Sequence, residues 1–253
     1  MSLLSDPAEE ALRVVALGRD AGVTLRVMGG LGVRLCSPSA EVAPLARSYG
    51  DIDLAAIGKQ RREVEALLAA AGYVPDEEIN ILHGNQRLIY WDETNGRQLD
   101  VLMDKLAMCH EIDLASGMAD SYPTIDLADL LLSKLQVFET TDKDYRDLVA
   151  LLLDHSLGEG DEDISLSRLH DSVGSDWGLW RTTSEVLERT GEHATTLSLT
   201  PAAEALLTER IAALAAAFDS APKSRRWKMR ARVGDRVRWY EVPDEAKTEL
   251  ASQ

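Results

Sequence analysis

Cysteine is scarce in this 253-residue chain: Cys36 and Cys109 make no disulfide framework, and neither belongs to a C-x-x-C pair. His110 follows Cys109, but neighbours on a strand point to opposite faces, which argues against a zinc site there. Long apolar runs are missing too, with nothing approaching the roughly 18 consecutive apolar residues of a membrane span. Positive charge is in deficit. The 27 Lys and Arg against 43 Asp and Glu leave a formal net charge of −16. The average surface therefore repels nucleic acid and anionic membranes, and any nucleic-acid contact needs a local basic patch. The first residues are acidic where a secretory signal would be basic, so the expected location is cytoplasmic. Internal repeats and low-complexity tracts are also absent.

What is present is an α+β pattern. SDPAEE opens a helix over residues 6 to 21, with Pro7 in the first turn and acids after it. VTLRVMGG reads as a buried strand ending in Gly29-Gly30, LGVRLC as a short helix, and DIDLAAIG as a second strand after a Pro-containing loop. KQRREVEALLAAAGY is a helix closed by Gly72. Two β-rich runs flank Asn95-Gly96, a dipeptide suited to a tight hairpin with positive φ at both central residues. From TIDLADLLL the apolar spacing is helical to about residue 217, with a boundary at Ser121 to Pro123. The expected organisation is a small mixed-sheet module with flanking helices (1–122), a mainly helical region (123–222) and a basic C-terminal β-hairpin and tail (223–253). The tail carries eight Lys or Arg against one Asp before Glu241.

The stretch YGDIDLA places Asp51 and Asp53 two positions apart in an apolar strand. Residues i and i+2 share a face, so both carboxylates project together while Ile52 and Leu54 enter the opposite layer. Side by side and unpaired they repel, and burial makes the cost worse. They call for a cation, and Mg²⁺ is the hard ion that takes carboxylates together with phosphate oxygens. Asp100, in the second strand of the hairpin, is a possible third ligand, and three carboxylates on adjacent strands suit a two-metal site. Gly29 and Gly30 permit close approach of backbone N–H groups to phosphate.

This order of elements resembles the nucleotidyltransferase superfamily with the polymerase-beta-like fold. RVMGGLGVRL, YGDIDLAAIG and LLLSKLQVFETTDKDYRDLVALL together look like its AbiEii-type toxin group, over roughly residues 10 to 155. The resemblance implies transfer of a nucleoside monophosphate from an NTP with release of pyrophosphate. It makes Asp51, Asp53 and Asp100 the catalytic, Mg²⁺-binding carboxylates and gives Gly29, Gly30, Lys134 and Asp144 to the nucleotide. Its KD..D element matches Lys143-Asp144 and Asp147. The connection from Gly30 to Asp51 is longer than the family's, and the extra loop carries Arg47 to a phosphate or covers an edge.

Each feature also has a plainer reading. A double glycine is often an ordinary turn, Lys134 can snorkel from a core helix, and Asp144 and Asp147 can pair with Lys143 and Arg146 on a solvated face. Trp177 and Trp180 suit a core better than a stacking platform. In the tail, Trp227, Trp239 and Tyr240 interleave with cations as in RNA-binding surfaces, yet such a run equally meets the chain's own acids or a partner such as an antitoxin. The acceptor is then tRNA or other RNA, a protein side chain or a small molecule, and the competing class is a non-catalytic nucleotide-binding module.

Overall fold

In the structure, a computed structural model describing residues 3–118 and 122–242, Asp6 caps α1 (Pro7–Asp20) by accepting from the N–H groups of Ala8 and Glu9. Val14 and Val15 carry its buried face, while Leu12 is exposed. β1 (Leu25–Val27) runs into α2 (Gly29–Cys36), so the double glycine opens the helix rather than ending the strand. β2 (Ile52–Ala56) is followed by α3 (Arg61–Ala71), which Gly72 stops at φ +98°. Then come β3 (Val74–Pro75), α4 (Glu77–His83), β4 (Arg87–Asp92) and β5 (Arg97–Met103). The β4–β5 connection is a four-residue turn in which Gly96 has positive φ and Asn95 does not, unlike the tight turn expected.

These strands form one sheet in the order β1-β2-β5-β4-β3. β2 is antiparallel to β1 and parallel to β5, and β4 is antiparallel to both β5 and β3. The second strand of the hairpin therefore lies directly beside the Asp-x-Asp strand. Ile52, Leu54, Leu99 and Val101 alternate into a core shared with α1 and α3. A buried ion pair braces the hairpin, with Arg97 Nη2 donating to Asp92 Oδ2 at 2.6 Å.

A small antiparallel pair, β6 (Lys105–Ala107) and β7 (Glu111–Asp113), leaves the end of β5. The helices follow: α5 (Leu127–Leu135), α6 (Asp142–Asp154), α7 (Leu166–Ser175), α8 (Trp177–Ala194) and α9 (Pro201–Ser220), with a two-residue parallel pair of β8 (Leu157–Gly158) and β9 (Ile164–Ser165) before α7. Their core continues under the sheet module, since Met28, Val33 and Ala55 join Leu130, Leu131 and Leu148 in one apolar cluster. The expected boundary at Ser121 to Pro123 falls partly on residues outside the description.

The basic tail corrects the sequence reading. Residues 223–242 form no β-hairpin; they carry α10 (Arg225–Ala231) and a 3-10 turn at Gly234–Arg236. Ser224 starts the helix by accepting from Trp227 N–H. Arg230 then holds the turned-back chain, donating to the carbonyls of Gly234 and Val237 at 2.8 and 2.7 Å. Local capping thus prevails over the alternation of Arg with apolar residues, because the described chain brings no strand to pair with it. Residues 243–253 lie outside the description.

Candidate active site

The parallel register pairs Ile52 with Leu99 and Asp53 with Asp100. Two carboxylates thus stand on neighbouring strands, whose backbones lie about 4.8 Å apart. Asp51 precedes the strand at its exposed end. On the other flank of β2, Met28 N–H donates to Asp53 O at 2.9 Å, and Gly29 takes φ +61°. A Cβ at Gly29 would overlap the Asp53 carboxylate, so this glycine makes room for that side chain while starting α2.

Charge is unevenly compensated. Asp100 Oδ2 accepts from Arg87 Nε at 2.7 Å and from Nη2 at 2.5 Å. Among the described residues Asp53 has no hydrogen-bonding partner for its carboxylate. Burial first, then the charges of Asp51 and Asp100, push its carboxyl up to about 7, against the weaker pull of Lys134 and Arg87. At neutral pH it is poised between holding a proton and accepting a cation.

Lys134 stands in the last turn of α5. Its ammonium lies 3.1 Å from Asp144 Oδ1 and 2.9 Å from Asp147 Oδ2. Burial would lower its pKa, but the two carboxylates outweigh that and hold it above the ordinary value. Asp144 is oriented by the capping box of α6, accepting from Thr141 N at 3.2 Å and Thr141 Oγ1 at 2.7 Å. Lys134 and Thr141 keep its carboxyl below the usual range despite burial.

A cavity of about 710 Å³ joins these groups: Gly29, Asp51, Asp53, Asp100, Lys134 and Asp144 all line it. Gly30 does not; a Cβ there would overlap the Arg47 guanidinium. Arg47 itself turns to Asp147. The cavity thus has an acidic floor with a lysine at its edge, and Leu102, Leu106 and Met108 supply an apolar wall. Such an arrangement can hold a cation beside a polyanion and leave a hydroxyl acceptor room. The donor set of Asp51, Asp53 and Asp100 is all hard oxygen, the donor chemistry that suits Mg²⁺. Among the described residues no three His, Cys, Asp or Glu side chains stand in ready coordinating positions.

Sequence reasoning missed Arg87, Glu241 and Val242 as cavity residues. Arg87 had a faint signal: it sits two positions before Ile89, the register partner of Asp100, and so on the same sheet face as Asp100. For Glu241 and Val242 there was none, because a tertiary contact brings the tail there, Glu241 N–H donating to Cys109 O. His110 serves structure, its Nε2 sharing a hydrogen bond of 2.8 Å with Thr182 Oγ1.

The tail aromatics face inward and do not form a stacking platform. Trp239 Nε1 donates to Thr182 Oγ1 at 3.0 Å, Tyr240 stacks on Phe138 with centroids 4.0 Å apart, and Trp227 meets Trp180 edge to face at 5.3 Å. Trp177 and Trp180 belong to the same cluster. Outside it, Arg225, Arg226, Lys228, Arg232, Arg236 and Arg238 remain exposed.

No protein-family model matches the chain, and no curated protein sequence matches it. Among solved structures it is similar to the lincomycin-bound crystal structure of the lincosamide antibiotic adenylyltransferase LnuA, at 18% identity over 56% of this chain and 94% of that one, TM-score 0.40. It is also similar to the solution structure of the antibiotic-resistance factor ANT(2'')-Ia, at 12% identity over 74% of this chain and 100% of that one, TM-score 0.42. Both likenesses are partial, and neither carries a substrate to this chain.

Proposed function

We propose that the protein is a Mg²⁺-dependent nucleotidyltransferase of the polymerase-beta-like superfamily, moving a nucleoside monophosphate from an NTP to an acceptor hydroxyl. The observation that carries this reading is the pairing of Asp53 with Asp100 across parallel strands, in one cavity with Gly29, Asp51 and Lys134. Asp51, Asp53 and Asp100 would hold Mg²⁺, which when bound offsets the charge of the triphosphate and favours deprotonation of the acceptor. Asp53 would bind the ion as its carboxylate, and Arg87 fixes Asp100 beside it. Lys134 contacts the triphosphate, and Asp144 orients Lys134. Gly29 allows the backbone at the start of α2 to approach a phosphate.

RNA, tRNA included, is the acceptor we favour, as in AbiEii-like toxins, because six exposed cations lie within the short strip of sequence from Arg225 to Arg238 in a chain of net negative charge. An antitoxin protein is the other occupant that strip suits. The test is incubation with each α-labelled NTP, Mg²⁺ and total RNA, with Asp53→Ala as control. A labelled RNA band that the substitution removes supports the whole reading. Pyrophosphate without labelled RNA redirects it to a small-molecule or protein acceptor. No turnover with any NTP leaves a nucleotide-binding module without catalysis.

A further inference from the structure

We propose that Arg47 is a positioning residue for Lys134, acting through Asp147, and that Gly30 is glycine in order to admit the Arg47 guanidinium. The inference rests on the proposed nucleotide site. Arg47 comes from the long loop between α2 and β2, and its fork closes on Asp147, Nε to Oδ1 at 2.9 Å and Nη2 to Oδ2 at 2.7 Å. The Asp147 side chain is 2% exposed. The guanidinium carbon lies 4.2 Å from the centre of the Tyr49 ring, so the fork is held on one face by an aromatic and on another by α2 at Gly30.

Asp147 Oδ2 also accepts from Lys134. Arg47, Asp147, Lys134 and Asp144, two cations and two carboxylates, thus form a linked, charge-balanced chain. Its halves differ in what they face: Lys134 and Asp144 line the cavity, whereas Arg47 and Asp147 do not. A bidentate guanidinium fixes both the plane and the position of a carboxylate, which a single ammonium cannot do. With Arg47 in place, Asp147 is a fixed post against which the Lys134 chain is stretched to the cavity edge. Without it, a buried carboxylate keeps Lys134 as its one close cation, and the flexible ammonium is drawn inward, away from a phosphate. The long loop and the second glycine then have a shared purpose that direct phosphate contact does not provide.

The test is calorimetric titration of the full chain with ATP, GTP, CTP and UTP in Mg²⁺, using Lys134→Ala, Arg47→Ala, Gly30→Ala and their pairs. Lys134→Ala and Arg47→Ala should each weaken the best-bound nucleotide about tenfold, the size of one charge-assisted hydrogen bond. Arg47→Ala should cost nothing further in the Lys134→Ala background, and Gly30→Ala nothing further once Arg47 is gone. Arg47→Lys keeps charge and chain length but not the fork; it should still lose affinity, and it replaces Arg47→Ala if that variant fails to fold. Multiplying effects of Arg47→Ala and Lys134→Ala, or Arg47 variants within twofold of the parent while Lys134→Ala is weakened, overturn this inference alone. Absence of nucleotide binding, or indifference to Lys134→Ala, overturns the proposed site together with it.

Discussion

Replacing Asp53 by Asn removes a charge and keeps the shape, so it separates what the carboxylate does for the fold from what it does for a ligand. Its carboxyl sits at about 7 in the folded chain against an ordinary 3.8. Between those values the folded protein holds a proton that the unfolded chain has released. The stability contributed is therefore full below the unfolded pKa and is lost as pH rises through the folded one. At 1.36 kcal/mol for each tenfold change, the ionised form is disfavoured by roughly 4 kcal/mol, and relaxation with water at the cavity mouth reduces this to about 2 kcal/mol. Thermal denaturation in the absence of divalent cations should place Asp53→Asn above the parent by about 5 °C near pH 8, and by less than about 2 °C near pH 5. Millimolar Mg²⁺ should then raise the melting temperature of the parent and leave the variant where it was. A variant that melts at or below the parent near pH 8, or a gap that does not change with pH, refutes the argument that Asp53 is a carboxylate in need of a cation.

Gly29→Ala combines a positive φ with a Cβ in the place of the Asp53 carboxylate; a loss of about 2 kcal/mol by chemical denaturation is expected, together with loss of stabilisation by Mg²⁺. Arg97→Met strands the buried Asp92, whose carboxyl is held below its ordinary value because Asn95 and Arg97 outweigh burial. Asp92 contributes stability that is present above its unfolded pKa and lost as pH falls, so the variant should be about 3 kcal/mol less stable at neutral pH and should approach the parent in acid. Trp239→Ala removes the indole that bonds Thr182 and packs on Trp177; thermal melting should show a cost of about 2 kcal/mol, and an unchanged melting temperature would mean the tail is not seated there.

Much of the element order is local chemistry and was legible. The Ser-Asp-Pro start of α1, the stop at Gly72 and the helical spacing of Leu130, Leu131 and Leu148 follow from capping and periodicity. Asp53 alternates with Ile52 and Leu54 as a strand residue does, whereas Asp51 lies just before β2 and shares the cavity lining with Asp53. The tail was misread because alternating Arg and Val fits a β-hairpin on paper, while Ser224 capping and the packing of Trp227 on Trp180 favour α10. α4 and the β6–β7 pair, short and weakly patterned, were not legible at all.

The register lay beyond the sequence. Nothing in RQLDVLMD says that Asp100 stands beside Asp53 rather than one residue off, where it would point into the apolar layer; the burial of Ile52, Leu54, Leu99 and Val101 on one face settles that. Only packing of α5 and α6 under α2 brings Lys134 to the cavity and Asp147 to Arg47, one hundred residues apart in the chain. Sequence alone determined the elements that have strong caps, stops and apolar periodicity, such as α1, α3 and α5, because those signals act over a few residues. Tertiary structure decided which charges meet, because an ion pair or a cavity wall forms wherever burial of the apolar faces leaves its members.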